Sequence, residues 1–311
     1  MSGDGSGALP NMEGDAEFSL LAENAAEVGL AWTGPPAVHR TSVAVDRGQT
    51  LSAIVWGDGE PELVFLHGGA QNAHTWDTVA LALGRPLVAI DLPGHGRSDW
   101  RADHDYTPMT NAPAVAAAVR ELAPAARVVI GMSLGGLTAL RLAAIAPDVV
   151  RRLMIVDVTP GTDHAKAEPI IAFINGPERF ESFDEILQRT IQFNPTRSES
   201  SLRRGVLHNA AEQPDGSWSW RYDRFRPESL SEDGKEGAID FGNMWDDVSA
   251  ITAPILLLRG SLSPVVGDED VEEFTRRQPT AEVVVVDGAG HSIQGDKPLE
   301  LAKLLEDFLS K

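Results

Sequence analysis

Short runs of uniformly apolar residues recur along the chain, and segments with helical spacing lie between them. The apolar runs are Leu63–Leu66, Leu87–Ile90, 128–130, Leu153–Val156, 255–258 and 283–286, and the clearest later helices are 111–122, Asp268–Arg277 and 298–309. Continuous apolar strands that alternate with helices are typical of a mostly parallel sheet covered by helices on both faces. The sequence therefore predicts an α/β fold.

The run at 128–130 leads directly into Gly131-Met132-Ser133-Leu134-Gly135, and a helix-like segment follows it. Between a buried strand and a helix, this G-x-S-x-G pattern indicates a nucleophile elbow, a sharp turn that exposes the serine hydroxyl. The glycines on either side of Ser133 lack the side-chain bulk that would keep the strand and the helix apart. Ser133 is therefore the candidate nucleophile.

A serine hydroxyl needs a base at neutral pH, and the base needs a third group that fixes its tautomer. Of the 8 histidines, His291 lies in a glycine-flanked loop directly after the last predicted strand, and we take it as the base. Loops at the carboxyl ends of parallel strands share one edge of the sheet, where ligands bind. The turn His67-Gly68-Gly69 leaves another strand at that edge, and the N–H groups of Gly69 and Leu134 are expected to form an oxyanion hole.

Four motifs in this order resemble the α/β-hydrolase superfamily: H-G-G at 67–69, D-L-P-G-H-G-R-S at 91–98, G-M-S-L-G at 131–135 and G-A-G-H at 288–291. The resemblance covers roughly residues 42–158 and 250–311. It implies an eight-stranded sheet, a Ser-His-acid triad and a mainly helical cap inserted over the site. Serine at the elbow argues against the superfamily's haloalkane dehalogenases and epoxide hydrolases, which use a carboxylate nucleophile.

The acid of the triad departs from the superfamily's usual pattern. An aspartate is expected a few residues after the penultimate strand, but Ser263 stands there, and a hydroxyl cannot stabilise a protonated His291. Some members of the superfamily place the acid after the preceding strand, and Asp157 follows that strand in this chain. We therefore expect Asp157 to be the acid. Asp268 and Asp270 are the next candidates, and we expect them to cap the following helix.

The strand–helix rhythm is interrupted once, in a stretch richer in proline, asparagine and phenylalanine. We divide the chain into an N-terminal extension at 1–40, a first part of the α/β core at 41–160, a cap insertion at 161–247 and a second part of the core at 248–311. The first 15 or so residues are expected to be disordered. A helical pattern at 16–29 fits either a docked helix or an oligomer contact. Trp76, Trp218 and Trp220 are candidate pocket residues, although each also fits ordinary core packing.

The composition limits the kinds of molecule that this protein is expected to bind. The net charge of −20 argues against a nucleic-acid surface and against binding to anionic membranes. The absence of cysteine excludes disulfides, thiolate metal sites and a cysteine nucleophile. The sequence shows no metal-binding cluster, no phosphate loop, no basic leader with an apolar core and no apolar run of about 20 residues. We expect a cytoplasmic protein that needs no cofactor or metal; its oligomeric state stays open.

These features predict a carboxylesterase that forms an acyl-enzyme on Ser133 with a small-molecule ester. Three alternatives remain at this point. A hydrolase of carbon–carbon bonds in aromatic ring-cleavage products and a cofactor-free perhydrolase or haloperoxidase share the fold and the triad. The third alternative is a receptor with the same fold that binds a ligand without catalysing a reaction.

Overall fold

The apolar runs form the centre of a sheet in the computed structural model, which describes residues 12–162, 164–224 and 241–311. The strands in these residues are β1 (Val38–Val45), β2 (Gln49–Trp56), β3 (Leu63–Leu66), β4 (Leu87–Ile90), β5 (Val128–Met132), β6 (Leu153–Val156), β7 (Arg179–Phe180), β8 (Ala210–Glu212), β9 (Trp218–Trp220), β10 (Ile255–Gly260) and β11 (Glu282–Val286). Eight of them form one sheet in the order β1-β2-β4-β3-β5-β6-β10-β11. The pairs β1–β2 and β2–β4 are antiparallel and the other neighbours are parallel, so the predicted fold class is confirmed.

Helices cover both faces of this sheet. In chain order the described α-helices are α1 (Leu21–Glu27), α2 (Asp77–Leu83), α3 (Pro108–Leu122), α4 (Leu134–Ile145), α5 (His164–Ile174), α6 (Phe183–Phe193), α7 (Glu199–Asn209), α8 (Trp245–Ala250), α9 (Asp268–Arg277), α10 (Ile293–Asp296) and α11 (Pro298–Ser310). None of them is long and apolar enough to cross a membrane.

Strand β3 shows why its sequence is apolar throughout. Val64 and Leu66 pack into one core cluster with α3 and α4, whereas Leu63 and Phe65 pack into the other with α2 and α11. All four side chains are fully buried. Successive side chains of a strand point to opposite faces, so a strand covered on both faces needs apolar residues at every position.

The stretch between β6 and β10 has its own small sheet and its own apolar cluster. Strands β7, β9 and β8 lie in that order, and α5, α6 and α7 accompany them. The ring centroids of Phe183 and Trp218 lie 5.2 Å apart in this cluster, and those of Phe180 and Trp220 lie 5.8 Å apart. Residues 225–240 of the predicted cap lie outside the described residues. The division into core and cap stays a prediction.

The N-terminal extension packs against the rest of the chain, as the docked-helix interpretation of its helical pattern predicts. Leu21 of α1 is buried in a core cluster, and Met12 and Leu20 are buried in the apolar cluster of the β7–β9 region. Of the segment expected to be disordered, residues 1–11 lie outside the described residues, whereas Met12 is packed. The extension therefore bridges the sheet and the inserted region.

A buried charge cluster anchors this extension. Glu17 accepts hydrogen bonds from Arg40 Nε at 2.7 Å and from His74 Nε2 at 2.9 Å, while His74 Nδ1 lies 2.8 Å from Asp77 Oδ2. Burial opposes ionisation of Glu17, but its bonds to His74 and Arg40 outweigh burial and lower its pKa to about 2. Burial also opposes protonation of His74, but Asp77 and Glu17 outweigh it and raise the pKa of His74 to about 9. His74 is therefore protonated at neutral pH and lies between the side chains of Glu17 and Asp77.

We expect the free energy of unfolding to fall between pH 6.5 and about pH 9 because of His74. Its folded-state pKa lies above the ordinary value of 6.5, so its stabilising effect is complete below 6.5 and is lost as the pH rises towards 9. The loss is about 3 kcal/mol and is measured by urea unfolding at a series of pH values. The variant His74→Gln should lose this pH dependence, and a variant of the exposed His39, His39→Gln, should keep it. An unchanged slope in His74→Gln would contradict this role.

Candidate active site

Ser133 lies at a strained turn between β5 and α4. Its φ of 50° and ψ of −119° are unusual for a residue with a side chain. The Ser133 N–H donates to the Val156 carbonyl at 3.3 Å, and the Ser133 carbonyl accepts from the Leu137 N–H at 2.9 Å. The backbone is thus tied to the neighbouring strand on one side and to its own helix on the other, which holds the turn in its strained conformation.

The two glycines of the motif are required by close backbone contacts. A Cβ at Gly135 would lie 2.4 Å from the carbonyl oxygen of Leu66 on β3, and one at Gly131 would lie 2.3 Å from the carbonyl oxygen of Gly135. No real side chain tolerates such distances. Glycine at both positions therefore lets α4 start directly against the ends of β3 and β5.

Asp157 and His291 meet at the carboxyl ends of β6 and β11. His291 Nδ1 lies 2.8 Å from Asp157 Oδ2, and Asp157 is fully buried. His291 Nε2 is buried and has no hydrogen-bond partner within the described residues. The residue His291 lines the same cavity as Ser133. The hydrogen bond to Asp157 leaves the proton on Nδ1, so Nε2 carries a lone pair that can accept a proton.

Ser263, which stands where the superfamily's usual acid is expected, contacts the alternative acid. Its Oγ donates to Asp157 Oδ2 at 2.5 Å, and the N–H of Gly260 donates to Asp157 Oδ1 at 2.8 Å. A buried carboxylate needs such donors because burial without them is costly. Asp268 and Asp270, the other sequence candidates, lie in the first turn of α9, and Asp270 accepts from the Gly267 N–H at the helix start.

The turn His67-Gly68-Gly69, which we call the oxyanion turn, follows β3. Leu134 is the first residue of α4 and therefore has no helical acceptor for its N–H. Neither this N–H nor that of Gly69 donates a hydrogen bond to another described residue. The next residue, Ala70, has a positive φ of 58°. Two N–H groups without acceptors at adjoining turns can stabilise a negatively charged oxygen.

Two buried histidines hold the oxyanion turn in place. His67 Nε2 accepts from the Leu92 N–H at 2.9 Å, so its Nδ1 donates to the Gly68 carbonyl at 2.7 Å. His95 Nε2 accepts from the Ala70 N–H at 3.1 Å. Burial lowers the pKa of both rings, that of His67 to about 3, and both are therefore neutral at pH 7. These roles are structural, and they fix the path of the backbone at residues 68–70.

A cavity of about 450 Å³ opens at this edge of the sheet, a size typical of small-molecule sites. Ser133, His291 and Gly69 line it. Its other walls come from the N-terminal extension, from α5 and α7 and from the loop before α7, including Asn24, Glu27, Ile170, Phe173, Arg197 and Arg204. Sequence analysis missed these wall residues, because no motif marks them and their segments are distant from the catalytic motifs along the chain.

The three tryptophans proposed for the pocket have different positions. Trp220 lines the cavity. Trp76 and Trp218 do not line it, contrary to the prediction. Trp76 is fully buried with its ring centroid 4.9 Å from that of Phe65, and Trp218 packs against Phe183. Trp76 and Trp218 therefore pack in apolar clusters, as the alternative interpretation of both residues predicts.

One group of described residues brings metal-ligating atoms together: His74, Asp77 and His208, within 4.8 Å of one another. Its geometry does not fit a metal ion. The rings of His74 and His208 stack 3.6 Å apart with 16° between their planes, so their in-plane lone pairs run nearly parallel and do not converge on one ion. Both nitrogens of His74 are also occupied by Asp77 and Glu17.

Comparison with known proteins places these features in a family. The model of the alpha/beta hydrolase family matches residues 63–304. The esterase Rv0045c of Mycobacterium tuberculosis is 46% identical over 301 residues, which cover 94% of this chain and 95% of that protein. A crystal structure of that esterase has a TM-score of 0.83 at 44% identity and covers 97% of this chain and 100% of its own. The sn-1-specific diacylglycerol lipase ABHD11 of Danio rerio is 29% identical over 265 residues, or 81% of this chain and 79% of the lipase.

We expect Gly135→Ala to destabilise the fold by about 2–3 kcal/mol, because its Cβ would collide with backbone atoms that cannot move without shifting β3. The matched control is Gly205→Ala in α7, where a Cβ would meet nothing within 4 Å. That change should be neutral or should stabilise the protein by up to about 1 kcal/mol, since alanine favours helix more than glycine does. Urea unfolding measures both. Equal effects of the two substitutions would contradict the close approach of α4 and β3.

Proposed function

The chain belongs to the alpha/beta hydrolase family, and from this premise we propose that it cleaves carboxylic esters through an acyl-enzyme on Ser133. The observation that carries the proposal is the hydrogen bond between His291 and the buried Asp157, together with the strained Ser133, which lines the same cavity as His291. The similarity to an esterase along nearly the whole chain supports the choice of an ester substrate.

In the acylation step His291 Nε2 takes the proton of the Ser133 hydroxyl while the serine oxygen attacks the ester carbonyl. Asp157 keeps the other ring nitrogen protonated and stabilises the imidazolium that forms. The N–H groups of Gly69 and Leu134 donate to the oxyanion. The imidazolium then gives its proton to the leaving alcohol. In deacylation, His291 activates water, which releases the acid and restores Ser133.

Ser263 has a supporting part in this proposal. An ionised Asp157 is needed to stabilise the imidazolium, and a buried carboxylate stays ionised only if donors compensate for its lost hydration. The hydroxyl of Ser263 and the N–H of Gly260 are such donors. We infer that Ser263, at the usual acid position, serves as a hydrogen-bond donor to the acid that follows the neighbouring strand.

We expect a fluorophosphonate probe to label the wild-type protein at Ser133 and to leave Ser133→Ala unlabelled. Wild type should hydrolyse p-nitrophenyl esters, and Ser133→Ala should be inactive although its melting temperature is unchanged. Intact-protein mass spectrometry and an absorbance assay measure the two properties. A folded wild-type protein that is not labelled would favour a receptor. Turnover of a vinylogous diketone without turnover of esters would favour a carbon–carbon bond hydrolase.

We expect Asp157→Asn to lower kcat by about 10³- to 10⁴-fold, because the amide cannot stabilise the imidazolium. Ser263→Ala should lower kcat by about tenfold or less, since it removes one hydrogen bond to the acid. Asp268→Asn is the matched control: its carboxylate is largely exposed and pairs with Arg259, and we expect it to keep wild-type activity. Steady-state kinetics of wild type and the three variants on one p-nitrophenyl ester measures these changes in kcat. Near-full turnover by a stable Asp157→Asn would show that another group is the acid.

A further inference from the structure

Arg197 brings a positive charge to the wall of the active-site cavity. It lies in the loop between α6 and α7 and lines the same cavity as Ser133 and His291. Its Nη2 donates to Ser201 Oγ at 2.5 Å. Its Nε is buried and has no partner among the residues that the structure describes. Among these residues the guanidinium group therefore makes one side-chain hydrogen bond and retains donors for a further partner.

The guanidinium group is held against the loop that carries His291. A Cβ placed on Gly295 would lie 2.5 Å from Arg197 Nη1. Gly295 belongs to α10, the short helix that starts two residues after His291. Glycine at this position thus gives Arg197 the space to lie beside the loop of the catalytic histidine.

Arg197 also forms no ion pair with a described residue. The other arginine of the cavity wall, Arg204, pairs with Glu27. Within the described part of the chain no carboxylate oxygen lies within 4.0 Å of Arg197. The nearest carboxylates are engaged elsewhere: Asp296 accepts from the Gly290 N–H at 2.8 Å, and Glu27 faces Arg204. Burial lowers the pKa of Arg197 from its ordinary value, since nearby carboxylates compensate only partly for the lost hydration.

A desolvated cation without a partner is costly, and a ligand that supplies the missing charge removes that cost. The planar fork of a guanidinium group matches a carboxylate particularly well. We propose that Arg197 binds a carboxylate group of the substrate, so that the enzyme acts on esters that carry one negative charge. This proposal rests on the ester-cleaving function proposed above and adds the class of substrate.

Two pairs of matched esters test the proposal. In the first pair the carboxylate is on the acyl side: p-nitrophenyl hydrogen glutarate against p-nitrophenyl valerate. In the second it is on the alcohol side: 4-acetoxybenzoate against phenyl acetate. We expect wild type to have the higher kcat/KM for the charged member of at least one pair.

In the preferred pair, Arg197→Gln should lower kcat/KM for the charged ester by about 10- to 100-fold and change that for the neutral ester by less than about threefold. Gly295→Ala keeps the charge but displaces the guanidinium group, so it should reduce the same preference by a smaller factor. The control is Arg179→Gln. Arg179 is an exposed residue of β7 that does not line the cavity, so its substitution should leave the preference unchanged. Circular dichroism and melting temperature establish that each variant is folded.

Equal kcat/KM values within both pairs in wild type, or a preference that persists in Arg197→Gln, would overturn the proposal while leaving the esterase function intact. If wild type cleaves no ester and Ser133 is not labelled, the proposed function fails instead. Calorimetric titration with glutarate still tests Arg197 in that case. Binding that is lost in Arg197→Gln and kept in Arg179→Gln supports the anion site, and equal or absent binding in wild type and Arg197→Gln overturns it.

Discussion

The buried carboxylate of Asp157 is the interaction on which the arrangement of the site depends. It accepts from the N–H of Gly260, the hydroxyl of Ser263 and the imidazole of His291. These donors come from the strand end and loop of β10 and from the loop after β11, so one side chain after β6 joins three neighbouring strand ends. In a low-dielectric interior such hydrogen bonds are strong when complete, and a missing partner is costly. The loops that carry Asp157, Ser263 and His291 are therefore held together by the hydrogen bonds of one buried carboxylate.

Backbone strain is concentrated at the same edge of the sheet. Ala70 after β3, Ser133 after β5 and Asp157 after β6 all have positive φ values between 50° and 58°, although none of them is glycine. Such conformations persist only where the surroundings determine them strongly. The fully buried parallel strands provide that support, because each strand is tied to neighbours on both sides. Strain at three adjoining strand ends is consistent with a site whose geometry is set before the substrate arrives.

The cavity is built by parts of the chain that carry none of the catalytic motifs. The N-terminal extension contributes one wall and is itself anchored through Glu17, Arg40 and His74. The loop before α7 contributes Arg197, which forms no ion pair with a described residue. Its charge is the clearest feature that distinguishes this cavity from an apolar ester pocket. In our proposal the residues of the catalytic motifs carry out the reaction, and the residues of these walls select the substrate. This separation is typical of folds on which one mechanism serves many substrates.

The sequence by itself determined the α/β fold, most element positions and the candidates Ser133 and His291, because these depend on local periodicity and short motifs. It also pointed to Asp157 through the strand that precedes it. Only the tertiary structure decided that Ser263 donates to Asp157, that Trp76 and Trp218 pack in cores, and that the N-terminal extension, His74 and Arg197 belong to the cavity. The physical reason is that these features depend on contacts between residues far apart in the chain. That Arg197 has no ion pair with any residue the structure describes is recognised only when its neighbours in space are known.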